Sequence, residues 1–324
     1  MAKVSIIIPI YKVEQWIERC AHSLFGQTME DLEYIFIDDC TPDDSVAILL
    51  GVLESYPHRK GQVKLLHNDE NRGLAFTRAR GILAATGDYI IYSDSDDWVE
   101  RDYCEKLYQK AVEEHADVVA CSHFESFDGE NEHAVVTKYH TDVPRQVIRE
   151  IYKHSIPTFG WMHLVKRSLF VDNKILPFEG INSGEDLNVI FRILFFAKRL
   201  AHVETPLYHY VRRAGSISLS TDYSFMWDNY ISKNVEGLER FVQEQGVAEE
   251  FGTTINYLKF IKKLYLLQGP APQLRRWWNT WPECNNDIAK FSAIPTRTRK
   301  IYGLCSKSYV LLWLYFKVVR KIVG

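Results

Sequence analysis

Four apolar runs, each closing on a polar cluster and each followed by helical spacing, limit the fold of this chain more than any other feature. Residues 4–10 form a run with no polar face, the pattern of a parallel strand covered on both sides. Pro9 cannot donate to a ladder, so the strand is expected to leave the sheet centre there. Residues 13–25 then carry apolar positions at helical spacing. Residues 32–39, 63–67 and 89–92 repeat the strand pattern, and helices are expected over 46–53, 74–85 and 103–115. Thr41-Pro-Asp-Asp-Ser45 supplies turn and cap chemistry, and Asn71-Arg-Gly73 a second turn. Strand, helix, strand at such short spacing means crossover connections and a parallel sheet. The expected architecture is α/β: a Rossmann-like, mostly parallel sheet flanked by helices, with a helical extension at the C-terminus.

Three of these strand ends carry chemistry: Tyr11, Asp38-Asp39 and Asp94-Ser-Asp-Asp97. In a parallel sheet they share one edge, where open α/β sheets bind ligands. Asp94, Asp96 and Asp97 crowd three carboxylates together, and a cation among them relieves their repulsion. Oxygen ligands suit magnesium, manganese or calcium rather than zinc. The alternative is a solvated acidic turn, with Asp97 capping the next helix.

The 324 residues suit one large domain or a domain with an appendage. A net charge of −3 gives no support to nucleic-acid binding. The six cysteines are scattered without Cys-x-x-Cys, as buried thiols in a reducing compartment would be. The N-terminus runs straight into a strand with no signal-peptide pattern, and no apolar run reaches the roughly 18 residues of a membrane span.

Residues 124–140 turn polar, as a hairpin would, and a helix is expected over 143–154. Trp161 lies among aromatics beside Lys166 and Arg167. Asn182-Ser-Gly-Glu-Asp186 opens a helix over 187–198, with Ser183 and Asp186 spaced as a capping box. Residues 207–213 read as a strand that ends at 215–218. Helical spacing then dominates 223–245 and 249–267, and Gly269-Pro-Ala-Pro272 interrupts it. The domains are therefore expected at 1–219 and 220–324. No acidic residue follows Asp287, whereas Lys290, Arg297, Arg299, Lys300, Lys307, Lys317, Arg320 and Lys321 do. Around the apolar stretch 309–316, the tail (about 288–324) suits a helix lying in the headgroups of an anionic bilayer. Docking on the domain or on a second subunit is the alternative.

Five motifs occur in order: Ser5-Ile-Ile-Ile-Pro-Ile-Tyr11, Ser23-Leu-Phe-Gly-Gln-Thr28, Phe36-Ile-Asp-Asp39, Asn71-x-Gly-Leu-Ala-x-x-Arg78, and Gly87-Asp-Tyr-Ile-x-Tyr-x-Asp-Ser-Asp-Asp-Trp98. Together they resemble family 2 glycosyltransferases with the GT-A fold, of the bacterial cell-surface polysaccharide type. Each motif alone is weak; the ordered set, over about residues 3–218, is specific. The resemblance implies an inverting, Mn2+- or Mg2+-dependent transfer from a nucleoside diphosphate sugar, UDP-linked by default. The acceptor would be a hydroxyl of a glycan or lipid-linked molecule, and the enzyme would sit peripherally on the cytoplasmic face of the membrane. Pro9 and Tyr11 would border the base, Asp39 would bond its edge, and Asp38 would support that strand end. Arg78 would approach base or phosphates, and Asp94 the ribose, with Ser95 beside it. Asp94, Asp96 and His209 would ligate the metal. Asp97 would order the loop, share the metal shell or border the acceptor. Trp161 would stack on the acceptor sugar. Asp186 would be the general base, with Glu185 orienting a neighbour or an acceptor hydroxyl. Arg212 and Arg213, before Ser216, resemble a loop that closes over the diphosphate. One departure stands out: Cys40-Thr41 follows the acids where the family has Gly-Ser.

The chemistry points the same way. A leaving diphosphate gathers charge that a cation stabilises, and in-line attack needs a carboxylate to take the hydroxyl proton. For Glu185-Asp186 the plain alternative is two acids complementing a helix dipole. Two other function classes fit less well. A non-catalytic nucleotide-sugar-binding scaffold predicts a broken motif. A nucleotidyltransferase or phosphohydrolase predicts glycines or a basic loop where Pro9-Ile-Tyr11 stands.

Overall fold

The first four strands of the N-terminal half are parallel, as the short helical crossovers between them require. The computed structural model describes residues 2–154, 156–213, 216, 220–268 and 271–319. Gly215, Ser218, the boundary at Leu219, Gly269, Pro270, Arg320 and Lys321 lie outside the described residues. Strands β1 (Val4–Ile10), β2 (Leu32–Asp38), β3 (Val63–His67) and β4 (Tyr89–Tyr92) are all parallel, in the order β3-β2-β1-β4. Val4, Ile6, Ile7, Ile8 and Ile10 are fully buried, which is why that run carries no polar face. Pairing of β1 with β4 ends at Ile7–Tyr92, so the missing amide of Pro9 falls beyond it.

The sheet continues through strands that local pattern does not order. These are β5 (Trp98–Val99), β6 (Val118–Phe127), β7 (Glu130–Val135), β8 (His163–Lys166) and β9 (Leu200–Arg212). The path beyond β4 is β8-β6-β9-β5, and β7 forms a hairpin with β6. Strand β8 runs antiparallel to both neighbours, while β6 and β9 are parallel. Helices α1 (Ile17–Phe25), α2 (Ser45–Glu54), α3 (Leu74–Ala84) and α4 (Tyr103–Glu113) follow β1 to β5. Next come α5 (Pro144–Arg149), α6 (Arg167–Asp172) and α7 (Glu185–Phe196). The expected capping box at Ser183 is absent: α7 is capped by Gly184 in the left-handed region (φ 70°), without a side-chain cap bond. Asp97 caps no helix either; α4 starts at Tyr103, six residues past it and beyond β5.

Two compact units emerge, residues 1–145 with 157–219, and residues 146–156 with 220–324. Most of the helix expected over 143–154 thus groups with the C-terminal unit. That unit is helical: α8 (Tyr223–Met226), α9 (Ser232–Glu244), α10 (Ala248–Lys263), α11 (Leu274–Asn279), α12 (Thr296–Cys305) and α13 (Tyr309–Leu314). Phe251, Phe260, Trp277 and Phe291 fill its core. Lys259, buried, is held between Glu239 and Glu283 at 2.7 and 2.8 Å. No described helix is long and apolar enough to cross a membrane.

Candidate active site

Because β2, β1 and β4 are parallel neighbours, their C-terminal ends meet at one edge. The amide of Asp39 donates to the Ile10 carbonyl at 3.0 Å. The Ser95 hydroxyl donates to the Pro9 carbonyl at 2.7 Å. Asp39 and the Asp94–Asp97 loop therefore flank the end of β1, where the Tyr11 ring is 40% exposed.

The β2 end is tightly built. Asp38 accepts from the Thr41 amide (2.8 Å) and lies 3.0 Å from His67 Nδ1. Asp39 Oδ1 accepts from Asn68 Nδ2 (2.6 Å) and the Arg72 amide (2.8 Å), and Oδ2 from the Gly73 amide (2.8 Å). One Oδ2 lone pair remains without a donor among the described residues. Cys40 has φ 57°, a left-handed conformation that glycine adopts without strain, so the departure from the family pattern puts a side chain where the backbone favours glycine.

Arg78 on α3 organises the centre. It is buried and faces acids rather than open space. Nη2 donates to Asp94 Oδ1 (2.6 Å), Nη1 to Asp186 Oδ1 (2.7 Å), and Nη1 also to Glu185. Its guanidinium lies 4.8 Å from the centre of the Tyr92 ring. The expected contact of Arg78 with the donor is thus replaced by three carboxylates. One guanidinium thus faces three carboxyl groups in a buried place. Burial disfavours the Arg78 charge, but Asp186, Asp94 and Glu185 outweigh it and hold its pKa well above the usual value. Burial also pushes the Glu185 carboxyl up to about 8 against the pull of Arg78, and Asp186 is raised for the same reason.

Asp186, at the start of α7, also accepts from the Gly160 amide. A Cβ on Gly160 would stand 2.4 Å from the Tyr92 ring and 2.7 Å from Asp186 Oδ1. Only glycine admits this approach of backbone to carboxylate.

On the other side, Arg213 holds Asp96 Oδ2 through Nε (2.7 Å) and Nη2 (2.6 Å), with its guanidinium 4.0 Å from the centre of the Trp16 ring. Burial and Asp94 raise the Asp96 carboxyl above its usual range. Among the described residues the second oxygens of Asp94 and Asp96 have no side-chain donor. A pair of carboxylates with oxygens to spare fits a hard divalent cation.

Three expectations are corrected here. Asp97 is buried, accepting from the Val211 amide and the Tyr208 hydroxyl, both at 2.8 Å. It ties β9 to the carboxylate loop and faces no acceptor. His209 turns Nδ1 to Glu132 (2.7 Å) and Nε2 to Glu100 (2.9 Å), stacked between Trp98 and Phe124, so neither nitrogen is on Asp94 or Asp96. Trp161 is 1% exposed and stacks on Tyr208 and Phe159 at 4.2 and 4.9 Å, so no face is open to a sugar. Sequence reasoning missed Tyr208, whose hydroxyl also accepts from the Asp94 amide (3.0 Å). A lone tyrosine 114 residues from Asp94 gives no local signal.

Comparison with known proteins agrees with this geometry. The family model "Glycosyl transferase family 2" matches residues 5–172. The chain is 34% identical over 280 residues to putative glycosyltransferase EpsH of Bacillus subtilis, covering 85% of this chain and 77% of that one. It is 30% identical over 292 residues to the uncharacterized glycosyltransferase EpsJ of the same organism, covering 89% and 81%. Staphylococcus aureus TarS residues 1–349, solved with UDP-GlcNAc, superposes with a TM-score of 0.71 at 17% identity, covering 95% of this chain and 88% of that one. At that identity the superposition speaks for the fold alone, and the fold is GT-A. The strand order, the carboxylate edge and the matched sequence converge on one conclusion: the chain belongs to glycosyl transferase family 2.

Proposed function

We propose that the protein moves a sugar from a nucleoside diphosphate donor, by default UDP-linked, to a hydroxyl of a glycan or lipid-linked acceptor, inverting the anomeric centre. The observation that carries this reading is the single guanidinium of Arg78 spanning Asp94 on one side and Asp186 on the other. It joins the edge where a donor would lie to the carboxylate that would take a proton. TarS, bound to UDP-GlcNAc in its crystals, and the Pyrobaculum calidifontis mannosyltransferase, solved with GDP-Man and Mn2+ (TM-score 0.51), support a nucleotide sugar as the ligand class.

Each residue has a task in this reading. Tyr11 offers an exposed ring for the base, and Asp39 holds the 68–73 turn beside it with one lone pair to spare. Asp94 and Asp96 would hold Mn2+ or Mg2+, which when bound stabilises charge on the leaving diphosphate. Asp97 and Tyr208 fix the loop that presents them. Asp186 takes the acceptor hydroxyl proton as the bond to the anomeric carbon forms. Glu185, buried against Arg78, positions that cation and faces no acceptor. The test is a screen of nucleotide sugars for slow hydrolysis without acceptor. Hydrolysis of at least one donor is expected with Mn2+ or Mg2+ and not with a chelator. No cleavage of any UDP-, GDP- or TDP-sugar with either cation would reject the reading.

The C-terminal unit supplies a place of work. Tyr309, Val310, Leu311, Trp313 and Leu314 on α13 and Leu304 on α12 are exposed, with Arg297, Lys300, Lys307 and Lys317 exposed around them. Apolar side chains bordered by cations suit an anionic bilayer surface, the cytoplasmic leaflet in this reading. The protein should sediment with phosphatidylglycerol vesicles and not with phosphatidylcholine vesicles. Trp313→Glu with Leu314→Glu should abolish this, both sites being exposed; unchanged sedimentation would remove the tail from the role.

A further inference from the structure

We propose that Phe159 is the platform on which the acceptor's sugar ring stacks, an inference that rests on the transferase reading above. The burial of Trp161 moves the question to the end of its stack. Tyr208, Trp161 and Phe159 form a column with interplanar angles of 9° and 8°. Tyr208 is fully buried, Trp161 is 1% exposed, and Phe159 is 36% exposed. Trp161 covers one face of the Phe159 ring and Tyr210 lies 5.7 Å from it, tilted by 34°, so the exposed part of the residue lies away from both. His123, buried, packs edge-on against both rings, and its Nδ1 has no partner.

The platform is held still and held close. The Phe159 carbonyl accepts from His163 Nδ1 at 2.7 Å, and Tyr139 donates its hydroxyl to His163 Nε2 at 2.8 Å. Burial lowers the His163 pKa to about 4, so the ring stays neutral and keeps this one-donor, one-acceptor arrangement. The next residue is Gly160, whose amide bonds Asp186. A rigid aromatic face thus lies one peptide unit from the carboxylate that would take the acceptor's proton. The apolar C–H face of a pyranose matches an aromatic face, and its equatorial hydroxyls then point sideways, free to reach a neighbouring base. An aliphatic or charged acceptor has no use for a flat ring at this place. The chemical class recognised is therefore a pyranose, at the terminus of the acceptor.

The experiment is saturation-transfer NMR on the full chain with methyl glycosides of glucose, galactose and N-acetylglucosamine. Wild-type protein should transfer saturation to ring C–H protons of at least one glycoside. Phe159→Ala should weaken that transfer about tenfold, and Phe159→Trp should restore it. The thermal midpoint and UDP-sugar affinity with Mn2+, read by calorimetry, should match wild type in both variants. Signal from no glycoside in the wild type, or equal signal from Phe159→Ala, overturns the proposal. A parallel loss of donor affinity and folding in Phe159→Ala also overturns it, since Phe159 is then only packing. If the wild type binds no nucleotide sugar, the transferase reading fails separately, whatever the glycosides show.

Discussion

Asp186→Asn should lower the transfer rate on the order of a thousandfold, about 4 kcal/mol of transition-state stabilisation, while donor affinity stays within twofold. The substitution is chosen for what it keeps. Asparagine retains a side-chain oxygen for Arg78 Nη1 and for the Gly160 amide, the two donors that hold Asp186 now. The geometry of the cluster therefore survives, and only basicity is lost. Donor affinity is expected to persist because Asp94, Asp96, Tyr11 and Asp39 sit on other elements. Single-turnover kinetics with the donor identified by the hydrolysis screen, beside calorimetry with Mn2+, separate the two quantities. A rate within tenfold of wild type would take the base role from Asp186. Glu185 could not inherit it, being buried with its carboxylate on Arg78.

How much of this was open to reading from the sequence follows from which interactions are local. Strands β1, β2 and β4 were legible because a parallel strand covered on both faces needs a nearly unbroken apolar run, and Val4–Ile10 is one; β3, at the sheet's edge, has no buried residue. Their acidic ends were legible because parallel neighbours share an edge. Strand β9 was read only over its last half: Glu204 and Pro206 interrupt its pattern, and the β6–β9 register shifts near Ser122. Strand β8 was hidden because four residues between helical stretches carry no period. At the site, residue types were legible and partners were not. Arg78 meets Glu185 across 107 residues of chain, and only the packing of α3 beside the start of α7 brings them together. Trp161 had the right chemistry for a sugar, but burial is a property of the stack, and its exposed end is Phe159.

The same cluster yields the largest expected change in stability. Arg78→Met should destabilise the protein by about 3–5 kcal/mol at pH 8, because three carboxylates lose the one cation that compensates them in a buried place. The pH dependence separates this cause from lost packing. Glu185 and Asp186 have folded pKa values raised above their unfolded ones, so the native state holds more protons than the unfolded chain above pH 4.5 and up to about pH 8. Stability of the wild type without metal therefore falls as pH rises through that window. Removing Arg78 raises the carboxyl pKa values further, and the fall becomes steeper. Near pH 5 the Glu185 carboxyl is protonated in both proteins, so Arg78 has less charge to compensate and the difference should shrink. Urea unfolding of both proteins at pH 5 and pH 8 measures this directly. A loss of equal size at the two pH values would mean that Arg78 acts through packing, against Tyr92 for instance, and not as the counter-charge. In the counter-charge account, Mn2+ at pH 8 should also recover part of the loss in Arg78→Met, since a divalent cation on Asp94 supplies positive charge to the same acids.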